Sequence, residues 1–262
     1  TKPEFNQMLG FSTEDVYDIF NYYKSTGEVR PDCDVDAVVK EMKPWYDNYC
    51  FAESRYGKEA MYNSVMVLYF IDNYIRNDCE FPKYMVEDNI RVDYNKLRML
   101  IRHDKNFEHD ARVIQRLVTN GFVTGTLKKG FPAESINDPD NFVSLLFYFG
   151  LVTIGGTYMG ETKFVIPNEV VRDQIYKYLL STYSENDLSV DNYEKGQLES
   201  RLAYLGEYKQ YFAYIADAIK QYSSQRDRQK GEAYVHGFTL AMTCQCRFYR
   251  PISELDNQGG YA

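Results

Sequence analysis

The chain has one tryptophan, three histidines and five cysteines, and it lacks any apolar run of membrane-spanning length. The missing run argues against a helical span, and no membrane partner is expected. Cysteines 33, 50, 79, 244 and 246 form an odd set with no framework spacing. With no signal-peptide pattern, they predict reduced thiols and a cytoplasmic location. Cys244 and Cys246 stand one residue apart, which is not a zinc-knuckle or thioredoxin-type spacing. His103 and His109 lie in a polar region without Cys or His partners at metal spacing, so no metal site is expected there. A phosphate-cradling Gly-x4-Gly-Lys-Ser/Thr loop is absent, because Gly57-Lys58 lacks the first glycine and is followed by Glu59. Nor is there a Gly-x-Ser-x-Gly elbow, a His-Glu-x-x-His helix or a Cys/His couple. Acidic residues outnumber basic ones, giving a net charge of −8, which argues against coating nucleic acid with the whole surface.

What the sequence has in excess is aromatic residues, 16% of the 262 positions, with 25 Tyr and 16 Phe. Tyrosine buries its ring while its hydroxyl seeks a partner, so many half-buried positions follow. A helical core of biased composition explains this better than base stacking.

Periodicity gives a mainly α fold with small β elements. Ser12 or Thr13 caps a helix over 11–26, with Val16, Ile19, Phe20 and Tyr23 as its stripe and Gly27 as its stop. A second helix runs from Asp34 to Met42, ended by Pro44. The run WYDNYCF (45–51) and a polar loop precede an apolar helix over 61–75. A Pro-containing connection leads to a helix capped by Asp93 that carries Leu97, Leu100 and Ile101. Next come a helix at 108–119 (Val113, Ile114, Leu117, Val118), a strand at 122–127 and a polar loop. Residues 141–180 read as helix, strand, Gly-rich hairpin, strand, and a helix capped by Asn168. That layout is winged-helix-like. The wing carries Lys163 and Glu161 and little other charge, so a protein partner suits it better than DNA. After a polar linker at 181–190, a helix of mixed character runs to about Leu205. The next, over 207–222, sets Tyr208, Tyr211, Phe212, Ile215, Ile219 and Tyr222 on one face.

The last stretch predicts a helix from Arg226 to Thr243 with Val235, Phe238 and Met242 packed. A strand follows at 247–251, then a turn at 256–260, then a second strand starting at Gly260. From Lys220 to Arg250 six basic residues face two acidic ones, a net of +4. Arg226, Arg228 and Lys230 are candidates for holding a DNA backbone, and a solvated helix face is an equal alternative.

These residues carry a resemblance. GEAYVHGFTLAM, a strand and then SELDNQGGYA resemble the start of the PD-(D/E)XK nuclease domain at the end of bacterial AAA-ATPase-like proteins. The resemblance implies that Glu232 is the helix glutamate of the catalytic site. It also implies a metal-binding aspartate immediately after Ala262 and a Glu-x-Lys pair later still. Trp45-Tyr46-Asp47-x-Tyr49-x-Phe51, with Tyr62-Asn63 heading a helix, resembles the end of the ATPase-like domain in the same proteins. There glycine usually stands in place of Asn48 and proline in place of Ser64; asparagine tolerates a left-handed turn nearly as well as glycine. The segment is expected to dock a helix onto the lid rather than touch a nucleotide.

On this resemblance, 1–105 is the lid part of the ATPase-like domain and 106–181 a helical, winged-helix-like unit. Residues 182–262 are then a helical linker and the opening of the α/β nuclease core. The resemblance implies Mg2+ and ATP for the whole protein, with neither held tightly by this chain, and both ends of the chain are expected to be truncated. His236, four residues beyond Glu232, shares its helix face. Glu254 matches a family Ser-Glu pair and reads as structural. The alternative function is a non-catalytic helical interaction module.

Overall fold

The structure, a computed structural model, describes residues 3, 6–58, 60–82, 84–86, 107–136, 138–182, 192–222, 231–244, 246, 248–249, 251, 256–257 and 260–261. Among these the chain is mainly helical, with nine α-helices, a three-stranded antiparallel sheet and a two-stranded hairpin. It falls into two units, Thr1–Phe107 with Phe122–Arg172, and Glu108–Gly121 with Asp173–Ala262. The expected helix carrying Leu97, Leu100 and Ile101, with its cap Asp93, lies outside the described residues.

In the first unit α1 (Thr13–Thr26) starts at a reciprocal cap. The Ser12 hydroxyl accepts the Asp15 N–H, and the Asp15 carboxylate accepts the Ser12 N–H at 2.8 Å. Gly27, left-handed at φ +83°, ends it. Helix α2 (Val35–Tyr46) is capped by Asp34 and runs past Pro44, contrary to the expected stop. Proline forfeits one N–H bond here, but it sits in the last turn, where packing of Met42 and Tyr46 holds the chain helical. Helix α3 (Ser64–Arg76) is capped by Asn63. The helical layer encloses Val16, Phe20, Val38, Met42, Tyr46, Met66, Val67, Phe70 and Tyr74 in one core.

The chain before α3 is extended. Tyr49 pairs with Met61, and Phe11 with Tyr62, as isolated antiparallel bridges. Asn48, just before Tyr49, adopts φ +77°, the left-handed conformation expected for it.

In the sheet, β1 (Phe122–Gly125) and β2 (Thr153–Tyr158) both pair with β3 (Glu161–Val165). The register slips between Ile154 and Thr157, so Gly155 and Gly156 form a bulge rather than the turn. The turn is Met159-Gly160, both at positive φ. In chain order α4 (Phe107–Thr119) precedes the sheet and buries Val113, Ile114, Leu117 and Val118 as expected. Helix α5 (Phe142–Tyr148) buries Phe142, Leu145, Leu146 and Phe147. Asn168 caps α6 (Glu169–Thr182) by accepting the Val171 N–H at 3.2 Å.

The second unit holds α7 (Asn192–Leu205), α8 (Tyr208–Tyr222) and α9 (Glu232–Thr243). Helix α8 buries Tyr211, Ile215 and Ala218, while Tyr208 and Phe212 are exposed, which corrects the wider apolar face expected for it. Helix α9 starts at Glu232 after a turn at Gly231 (φ +62°), not at Arg226. Its buried face is Tyr234, Phe238, Ala241 and Met242; Val235 points outward. No strand forms at Phe248, Tyr249 or Pro251. The hairpin is tighter than expected, with β4 (Asp256–Asn257) against β5 (Gly260–Tyr261).

Asn48→Gly should leave stability unchanged or slightly raised, while Asn48→Val should lower it by about 1–2 kcal/mol, the cost of a left-handed L-residue. Urea unfolding followed by the single tryptophan, Trp45, measures both.

Candidate functional site

The C-terminal candidates are only partly assembled. Glu232 occupies the first turn of α9 and is exposed, a place where a carboxylate complements the helix dipole. His236 is half-buried one turn on. Arg226, Arg228 and Lys230 lie outside the described residues, as does Glu254. A catalytic Mg2+ needs two or three acidic oxygens converging on it. Among the described residues no three of His, Cys, Asp and Glu come together in a way that could hold a metal ion. Glu232 by itself does not fit that role.

A different group of polar side chains does converge, in the first unit, around the motif at 45–51. Asp47 follows the last residue of α2 and is 1% exposed. One carboxylate oxygen lies 3.5 Å from Lys43 Nζ, and the other has no hydrogen-bond partner. Burial raises the Asp47 pKa, against the opposing pull of the Asn48 N–H and of Lys43. The Tyr62 hydroxyl is also buried without a hydrogen bond, and burial followed by the Asp47 charge pushes its pKa up to about 12.

Many backbone groups around Asp47 are bonded to distant parts of the chain. Asn168 Nδ2 donates to the Asp47 carbonyl at 3.1 Å, so one side chain caps α6 and anchors the motif. Asn63 N–H donates to the Tyr46 carbonyl at 2.8 Å. Cys50 N–H donates to Thr153 Oγ1 at 2.6 Å, whose own hydroxyl returns a bond to the Cys50 carbonyl at 3.1 Å. Asn6 Oδ1 accepts the N–H groups of Phe51 and Ala52 at 2.9 and 3.1 Å.

No protein-family model, curated protein or solved structure matches the chain.

The geometry therefore carries the reading by itself. The motif at 45–51 links α2, α3, β2 and the start of α6 through backbone groups and buried asparagines. That arrangement is a structural junction. The sequence pointed to the junction through an aspartate set among aromatics. It held no sign that Asn168, 121 residues later, would complete it.

The sign of the Asp47 effect follows from linkage. Between the ordinary aspartate value of about 3.9 and its raised folded value, the native state holds a proton that the unfolded state has lost. The Asp47 contribution to stability is therefore greatest at the acid end of that window and declines as pH rises through it. The stability of the parent chain minus that of Asp47→Asn should fall with rising pH, by urea melts on Trp45 fluorescence. A flat or rising difference would contradict a buried carboxylate.

Proposed function

We propose that the chain is the lid, middle region and nuclease opening of an AAA-ATPase-like protein with a C-terminal PD-(D/E)XK domain. The whole protein would act on DNA with Mg2+, and the chain in hand would be inactive by itself. The supporting observation is a helix that begins on Glu232 and precedes a hairpin whose second strand is Gly260–Tyr261. This is the order the resemblance implies. The left-handed Asn48, where the family carries glycine, supports the lid assignment. In this reading Glu232 contributes one carboxylate to the site, and Arg226, Arg228 and Lys230 hold the DNA backbone. ATP would be bound by residues other than those of this chain, since it has no P-loop. No helix among the described residues is long and apolar enough to cross a membrane. A cytoplasmic protein of reduced thiols agrees with this.

The wing favours a second reading for 106–181, as a protein-docking unit. At its tip Met159 is 87% exposed and Tyr158 is exposed beside it. Lys163, the one cation on the two wing strands, lies 4.5 Å over the Phe122 ring. A tip of that character suits a protein surface better than a phosphate backbone.

The 262-residue chain should show neither Mg2+-dependent DNA cleavage nor ATP turnover. It should shift duplex DNA at low salt. Neutralising Arg226, Arg228 and Lys230 together should weaken binding and flatten its salt dependence, by roughly one unit of log–log slope per lost phosphate contact. Cleavage or turnover that survives Glu232→Ala would overturn these roles, and absence of any shift at low salt would favour the docking reading. Reading the gene onward from Ala262 tests the nuclease assignment directly: aspartate next and Glu-x-Lys later are required.

A further inference from the structure

Two cysteines of the first unit meet at one turn of backbone, Arg30 to Cys33, beside Tyr74. Cys33 Sγ is 3.2 Å from the Tyr74 hydroxyl. Cys79 Sγ accepts the Arg30 N–H at 3.5 Å, and the Cys33 N–H donates to the Arg30 carbonyl at 3.1 Å. One peptide turn, Arg30 to Cys33, therefore carries Cys33 at its end and grips the sulfur of Cys79 at its start. Cys79 is also tied to Tyr74 directly, its N–H donating to the Tyr74 carbonyl at 2.8 Å. Burial pushes the Tyr74 phenol up, and a charge on Cys33 or on Cys79 would push it further, so both sulfurs are within electrostatic reach of it.

Two more features set this pair apart. Asp78 and Cys79 are consecutive non-glycine residues at positive φ, +53° and +63°. Such backbone strain persists only where the surroundings enforce it. The two cysteines are 8% and 7% exposed, at the edge of the helical core rather than deep inside it. Each residue thus keeps a small accessible surface while belonging to the buried core. Cys50 differs: its thiol donates to the Ala52 carbonyl at 3.3 Å.

We propose that Cys33 and Cys79 are a peroxide-responsive pair that closes to an intramolecular disulfide. One sulfur attacks a peroxide oxygen. The O–O bond breaks, a sulfenic acid forms and the first water leaves. The second sulfur attacks the sulfenic sulfur, the S–S bond forms, the S–O bond breaks and the second water leaves. Two thiols and one hydrogen peroxide give one disulfide and two waters; sulfur is oxidised and peroxide oxygen reduced. The bridge joins the loop after α1 to the end of α3 and fastens two sides of the helical core. A reductant of the dithiol class reverses it by exchange.

The test uses the full chain, folded, with hydrogen peroxide as the probe. Titration after denaturation should find two of the five thiols lost, and peptide mapping without reductant should recover 33 joined to 79. The oxidised chain should melt at a higher temperature, and dithiothreitol should restore both the thiols and the original melt. Cys33→Ser and Cys79→Ser should each abolish the cross-linked peptide while remaining folded by circular dichroism, and Cys50→Ser should leave it intact. Cross-links between other cysteines, sulfinic or sulfonic acid without a cross-link, or an unchanged thiol count would each overturn the proposal.

Discussion

An extended chain buried outside any regular sheet must satisfy its backbone group by group, and this constraint organises the first unit. Residues 46–52 leave a helix, turn sharply at Asn48 and run on without a strand partner beyond one bridge. An unpaired buried N–H or C=O costs about as much as a lost hydrogen bond. The protein meets the demand with side chains drawn from distant positions: Asn6, Thr153 and Asn168. Each of these is nearly fully buried, at 1%, 2% and 5% exposed. Asparagine and threonine recur because each offers a donor and an acceptor on a short side chain. The segment therefore acts as a joint on which the helical layer and the sheet converge.

The abundance of tyrosine has a related cause. Several hydroxyls end on backbone carbonyls: Tyr46 on Met85, Tyr69 on Tyr84 and Tyr148 on Lys128. A phenylalanine would fill the same volume and leave each carbonyl to find another donor. Rings also pack on rings within the helical core, where Tyr74 stacks on Phe70 at 5.7 Å and meets Phe20 edge-on. Tyr46 thus serves as a core residue that carries its own hydrogen bond, whereas Tyr69 and Tyr148 do so nearer the surface and Tyr62 is buried without one.

Sequence periodicity locates α1, α4, the β2–β3 hairpin and the Asn168 cap, because each rests on local chemistry: a cap, a stripe or a turn. It fails where tertiary packing overrides local preference. Pro44 reads as the end of α2, but the buried Tyr46 beyond it keeps the last turn helical. The expected faces of α8 and α9 hold at Tyr211, Ile215, Phe238 and Met242 but fail at Tyr208, Phe212 and Val235, which are exposed. A helix of alternating aromatic and aliphatic residues presents two nearly equal stripes, and only its neighbours decide between them. The glycine-rich run is legible as a hairpin, with its turn at Met159-Gly160; the bulge at Gly155-Gly156 has no separate signal, since a bulge also calls for glycine. The unpaired carboxylate oxygen of Asp47 has no sequence signal, because an aspartate at a helix end reads as a surface residue.

The same logic bears on Glu232. A glutamate in the first turn of a helix is stabilised there by the helix alone, so its presence has a sufficient local explanation. A catalytic carboxylate needs more, namely companions brought in by other elements. Helix α8 packs against α9, and the residues it buries are Tyr211, Ile215 and Ala218, none of which carries a carboxylate. Among the described residues no group of three such side chains gathers to hold a metal ion. The position of Glu232 is thus accounted for by the helix that bears it, and a catalytic role for it belongs to the proposed nuclease reading alone.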